Sequence, residues 1–158
     1  GRRLIDAIGW AAILSQLLAA LGSLFAKAGI GKIVSDIVAS AIPTDSALAV
    51  VIAYCLGMAI FTIIMGNAFA AFAVITSGIG IPLVIMGHGA DPLIVAPIAM
   101  LAGYCGTLMT PMAANFNIVP AALLEMQSKY GVIRAQIPLA IALLAANILL
   151  MYFLGFHK

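Results

Sequence analysis

Apolar positions in this chain fall in long blocks separated by short polar clusters. The blocks run over residues 7–25, 46–87, 92–124 and 137–156. A helix needs about 20 apolar residues to cross a bilayer, so the first and last blocks predict single spans at 7–25 and 137–156. Trp10 lies near one end of the first span, where an amphipathic ring suits the membrane interface, and Gln16 is polar within it. The block 46–87 contains no Asp, Glu, Lys or Arg and is long enough for two arms. Its midpoint reads Met65-Gly66-Asn67-Ala68, which predicts a helical hairpin with its tip near 66–68, either spanning or re-entrant. The block 92–124 carries Gly103, Gly106, Pro111 and Pro120. Pro removes a backbone donor and Gly weakens a helix, so this block predicts a broken helix.

One segment has a different rhythm. Over 30–41 the apolar residues Ile30, Ile33, Val34, Ile37 and Val38 recur at helical spacing, with Lys32 and Asp36 on the opposite face. That pattern predicts an amphipathic helix lying along the membrane surface. Pro43-Thr44-Asp45 reads as a turn and helix start, and His88-Gly-Ala-Asp91-Pro92 as a polar turn between spans. His88 and Asp91 lack an accompanying nucleophile.

Composition makes the solvent explicit. Hydrophobic residues make up 65% of the chain and charged residues 8%, against about a quarter charged in soluble domains; the mean hydropathy is +1.24. The expected fold class is therefore an all-α integral membrane protein, with the lipid bilayer as its surroundings. A formal net charge of +2 is scattered and forms no basic stripe, which excludes nucleic acid as the partner. Cys55 and Cys105 stand alone in apolar blocks and predict small core residues, with neither a disulfide framework nor a zinc site. Arg2, Arg3, Lys129 and Arg134 would lie on one side and Lys27, Lys32 and Lys158 on the other, a weak preference for a cytoplasmic N-terminus. Gly1 stands where an initiator Met would, and the first apolar run lacks a cleavage pattern, so a piece of a longer protein is expected.

The two interruptions carry the candidate chemistry. Non-helical backbone survives at membrane depth only where protein buries it or water reaches it, so two breaks in one small chain predict a shared internal cavity. Around the second, Gly106, Thr107, Thr110, Pro111, Asn115 and Asn117 bring hydroxyls, amides and freed carbonyls without formal charge; around the first stand Gly66, Asn67 and Ala68. Neutral oxygens suit a cation such as Na⁺, and half-helix N-termini suit an anion. Intramembrane carboxylates, common in proton relays, are missing from the apolar blocks. Gln16, Asn147, Thr62, Thr76 and Ser77 read as polar packing residues between helices. No nucleophile with its base and no metal-ligand cluster is visible, so no catalytic residues and no enzyme are expected.

This order of elements resembles one repeat half of the ion transporter superfamily, which includes the divalent anion/sodium symporters. The segments MGNAFAAFAVITSGIGIPL, GYCGTLMTPMAANFNIVPAALLE and VIRAQIPLAIALLAANILLMYFL resemble the C-terminal region of a bacterial inner-membrane family linked to 5-oxoproline uptake. The resemblance implies a single transport-repeat domain over 1–158 and a small organic anion as solute. It also implies a cation gradient as the driving force and a second membrane subunit or a homo-oligomer as partner. The symporters' hairpin tips carry Ser-Asn-Thr, whereas Gly66-Asn67-Ala68 has lost both hydroxyls, which leaves the coupling ion open between Na⁺ and H⁺. Asn67, Thr110 and Asn115 are the positions that follow the symporters' motifs. The alternative expectation is a non-transporting assembly subunit whose partner holds the solute.

Overall fold

A computed structural model describes Ala20, Leu24 and residues 27–156. The predicted span 7–25, apart from those two positions, and the residues Arg2, Arg3, Trp10, Gln16 and Lys158 lie outside the described residues. Among the described residues six helices are delimited, in order: α1 Ile30–Ala41, α2 Ala47–Met65, α3 Ala68–Gly87, α4 Pro92–Met109, α5 Ala114–Leu123 and α6 Gly131–Gly155. No strand occurs among the described residues.

Local chemistry sets the helix ends. Ser46, one residue beyond the predicted turn, caps α2 by accepting from the Ala49 amide at 3.4 Å. Asp91 does the same for α4, accepting from Leu93 N at 2.8 Å, and Pro92 occupies the first turn, where its missing N–H costs nothing. The second half of α3, Thr76–Gly87, winds as a π-helix. Its Pro82 cannot donate, and Gly78 and Gly80 weaken the ordinary α pattern. The Tyr54 ring fills the space a side chain at Gly80 would need, 2.7 Å from an added Cβ, and the Tyr54 hydroxyl pairs with Thr76 Oγ1 at 2.7 Å.

Among the described residues four helices are long and apolar enough to cross a membrane: α2 (19 residues), α3 (20), α4 (18) and α6 (25). At 1.5 Å per residue α2 is about 28 Å long, matching a hydrocarbon core of about 30 Å. Both hairpin arms thus have full-span length. The last helix starts at Gly131, six residues before the predicted span 137–156, because the polar connector is shorter than its charges suggest and Arg134 and Gln136 ride on the helix. The block 92–124 breaks once, between Met109 and Ala114; α4 runs through Gly103 and Gly106 without interruption.

The core lies where α4 meets α2 and α6, with the hairpin arm α3 against α2. It is built from small and medium side chains, including Val50, Val51, Tyr54, Met58, Val95, Ala99, Ala102 and Met151. Both cysteines are buried and free. The Asn147 amide reaches Cys105 Sγ at 3.6 Å, which fits its predicted packing role. α6 buries one stripe, Ala140, Leu144, Asn147, Met151 and Gly155. It exposes Leu139, Ile141, Leu143, Leu149, Leu150 and Leu154. Such a surface would not be soluble, and lipid is its natural solvent. α1 packs on α3, chiefly on its π-wound half, and leaves Lys32, Ile33, Asp36 and Ile37 exposed.

Hydrogen bonds define two ends. At one, His88 Nε2 lies 2.8 Å from the Thr44 carbonyl, and the Asp91 amide donates to the Gly155 carbonyl at 2.9 Å. His88 also meets the Phe156 ring edge-on. His88 and Asp91 are thus both engaged in holding this end together. The hairpin tip and the break after α4 lie at the other end.

Candidate functional site

The tip is a two-residue joint. Gly66 ends α2 at φ 71°, the left-handed region that glycine adopts without strain, and donates to the Thr62 carbonyl at 2.7 Å. Asn67 opens α3 as its cap, with Oδ1 accepting from Phe69 N at 2.8 Å and Ala70 N at 3.4 Å. Ala68 is buried directly behind it.

The second break is built by Thr110 and Pro111. Thr110 leaves α4 in extended geometry, φ −117° and ψ 137°, as expected of a residue before proline. Its hydroxyl donates to the Ile63 carbonyl of α2 at 2.8 Å and accepts from Met112 N at 3.2 Å. Pro111 is exposed in the loop. Asn117, fully buried on α5, donates through Nδ2 to the carbonyls of Thr107 at 2.8 Å and Thr110 at 2.7 Å. One amide therefore braces the frayed end of α4, satisfying carbonyls that a helix terminus leaves without partners. Asn115 lies on α5, and its side chain is outside the described residues.

The two interruptions touch. A Cβ on Gly66 would fall 2.8 Å from Met112 Cβ and 2.9 Å from its backbone carbon, so the tip lies directly on the break loop. Behind this contact α2 and α4 approach closely: a Cβ on Gly106 would run into the Ala59 carbonyl and lie 2.9 Å from Thr62 Cβ, and one on Gly103 would meet Met58 Cε at 2.9 Å. Gly103 and Gly106, expected as helix breakers, are instead the surface through which the two helices meet. Small residues allow such approach in lipid, where no hydrophobic force draws helices together.

Two helix C-termini, of α2 and α4, and two N-termini, of α3 and α5, converge on this joint, bringing partial negative and partial positive charge to one place. Several polar atoms there have no partner. Thr62 Oγ1, Thr107 Oγ1 and Asn117 Oδ1 are buried without a hydrogen bond, as is Gln136 Oε1 on α6. Thr62, set among the packing residues by its isolation in an apolar block, is the member that sequence reasoning passed over. Its one signal is its position one helical turn before Gly66. No group of three or more His, Cys, Asp or Glu able to hold a metal ion occurs among the described residues.

These elements define an all-helical integral membrane protein with two helix interruptions joined at one end. The sequence profile of the family described as Protein of unknown function (DUF979) matches residues 1–156, and the chain belongs to that family. No curated protein and no solved structure matches the chain.

Proposed function

We propose that this chain is half, or one subunit, of a secondary transporter of the bacterial inner membrane that moves a small organic anion, driven by a cation gradient. The observation that carries this reading is the contact of Gly66 with Met112 and of Thr110 with Ile63, which joins the hairpin turn and the break after α4 into one polar site at one end of an apolar bundle. Interrupted helices whose termini converge are the common ion- and solute-binding device of such transporters. The amino ends of α3 and α5 favour an anionic group and the carboxyl ends of α2 and α4 a cation. The resemblance to the family linked to 5-oxoproline uptake makes that small cyclic carboxylate the first solute to test.

A second reading, a non-transporting assembly subunit, draws support from one observation: the amide oxygen of Asn67 is engaged in capping α3 and the amide nitrogen of Asn117 in bracing α4. Both side chains then hold the fold, and a partner holds the solute.

Uptake of labelled 5-oxoproline into vesicles containing the full-length protein and its partner separates the two. For transport through this joint, uptake is expected to follow an imposed Na⁺ or H⁺ gradient and to fall at least tenfold in both Asn67→Ala and Asn67→Ser. Serine caps a helix as well as asparagine does, so recovery in Asn67→Ser would reduce Asn67 to a cap and favour the assembly subunit.

A further inference from the structure

We infer that the groove between α4 and α6 is the face by which two copies of this chain pair in the membrane. The Tyr104 ring of each copy enters the hollow of the other, and its hydroxyl donates to Asn147 Oδ1 there. The groove holds a cavity of about 160 Å³ lined by Leu101, Tyr104, Cys105, Leu108, Leu143 and Asn147.

The acceptor is recessed. Asn147 is 7% exposed and borders the hollow. Its amide nitrogen donates to Cys105 Sγ at 3.6 Å, and the thiol gives its own proton to the Leu101 carbonyl at 3.4 Å. Oδ1 therefore has no donor among the described residues. It is not sealed off as Thr62 Oγ1 is, so it opens on the groove. At 1.5 Å per residue Asn147 lies about 12 Å from the Gly155 end of α6, well inside a hydrocarbon core of about 30 Å. Headgroups do not reach that depth, and a carbonyl left unpaired in hydrocarbon is costly.

The missing donor stands on the rim of the same groove. Tyr104 is 39% exposed and is steadied edge-on by Phe69, with ring centroids 6.2 Å apart. Its hydroxyl makes no hydrogen bond among the described residues. A cavity of about 150 Å³ takes a benzene ring, so this hollow has the size for a tyrosine ring. Tyr104 lines its own hollow and cannot also fill it, whereas two copies can exchange rings. A twofold axis along the membrane normal leaves depth unchanged, so reciprocal donor and acceptor must sit at one level. Bordering one cavity, Tyr104 and Asn147 do.

The rest of the face agrees. Only 22% of the most apolar stretch of α6 is buried, against 44% in α2 and in α3, so α6 has the most surface left to cover. Ala142 and Ala146, exposed one turn apart on either side of Leu143 and its neighbours, let a second helix approach closely. A lipid chain would fill the hollow and leave Oδ1 unpaired. The pairing is independent of whether the chain transports anything.

The test follows the full-length protein, carrying donor or acceptor fluorophores at its C-terminus, in liposomes diluted stepwise with lipid; energy transfer between copies reads the paired fraction. Wild type is expected to pair, and Tyr104→Phe and Asn147→Leu each to weaken pairing roughly tenfold or more, since each removes both reciprocal hydrogen bonds. The double variant should be no weaker than the weaker single one. Leu143→Trp, which fills the hollow and leaves both polar groups in place, should also prevent pairing. Tyr104→Phe removes one hydroxyl from a part-exposed ring, so an unchanged unfolding midpoint is expected and its result decides even where another variant misfolds. A wild type monomeric at every dilution, or pairing that survives Tyr104→Phe unweakened, would overturn the interface. So would energy transfer lost when a second membrane subunit is reconstituted alongside, because another polypeptide would then hold the groove.

Discussion

At the residue scale the tip depends on two requirements: a left-handed residue to end α2, then a side-chain acceptor to begin α3. Gly66 meets the first and Asn67 the second. Gly66→Ala forces a β-carbon both into left-handed backbone and onto Met112. Strain of the first kind alone costs about 1–3 kcal/mol, so a clear fall in the thermal unfolding midpoint is expected in nanodiscs. An unchanged midpoint would contradict the left-handed backbone at Gly66. This residue pair was readable in the sequence because Gly-Asn has a strong local meaning. That the Thr62 hydroxyl stands without a partner was not readable, since a lone threonine in an apolar helix looks the same whether its hydroxyl bonds its own backbone or stands free.

At the element scale, the end of α4 is held by borrowed partners. Thr110 takes a carbonyl from α2, and Asn117 takes two from α4. Thr110→Val keeps the shape of the side chain while leaving the Ile63 carbonyl and Met112 amide without their shared hydroxyl. Each of the two part-buried hydrogen bonds lost is expected to cost about 0.5–1.5 kcal/mol. Hydrogen exchange should show faster opening in 110–113 than in the middle of α4; equal protection in variant and wild type would contradict this bracing. Pro111 made a break legible in the sequence. Gly103 and Gly106 pointed to breaks for the wrong reason, because the same missing side chain that weakens a helix also lets a neighbour approach, and only the packing of α2 against α4 decides between the two. The π winding of Thr76–Gly87 was likewise hidden: Gly78, Gly80 and Pro82 loosen an α-helix without specifying what replaces it.

For the whole molecule, hydropathy alone established the class, since 65% hydrophobic content in long blocks has few outlets besides a helical membrane protein. The arrangement adds a sidedness that hydropathy could not fix. The turns at Thr44 and His88–Asp91 and the end of α6 share one side, while the tip, the break and the 124–130 connector share the other. Asp45→Cys and Lys129→Cys, made in a background where Cys55 and Cys105 are replaced by alanine, should therefore react with a membrane-impermeant maleimide from opposite faces of sealed vesicles. Labelling of both from one face would refute this arrangement of the described helices.

The amide of Asp91 donates to the carbonyl of Gly155, and this contact has a consequence for how the protein is made. The hairpin α2–α3 and the helix α4 leave the ribosome before α6 does, so the joint between tip and break can assemble while the opposite end is still open. The bond from Asp91 to Gly155 is then the contact by which the C-terminal helix is fastened to the end where the hairpin began.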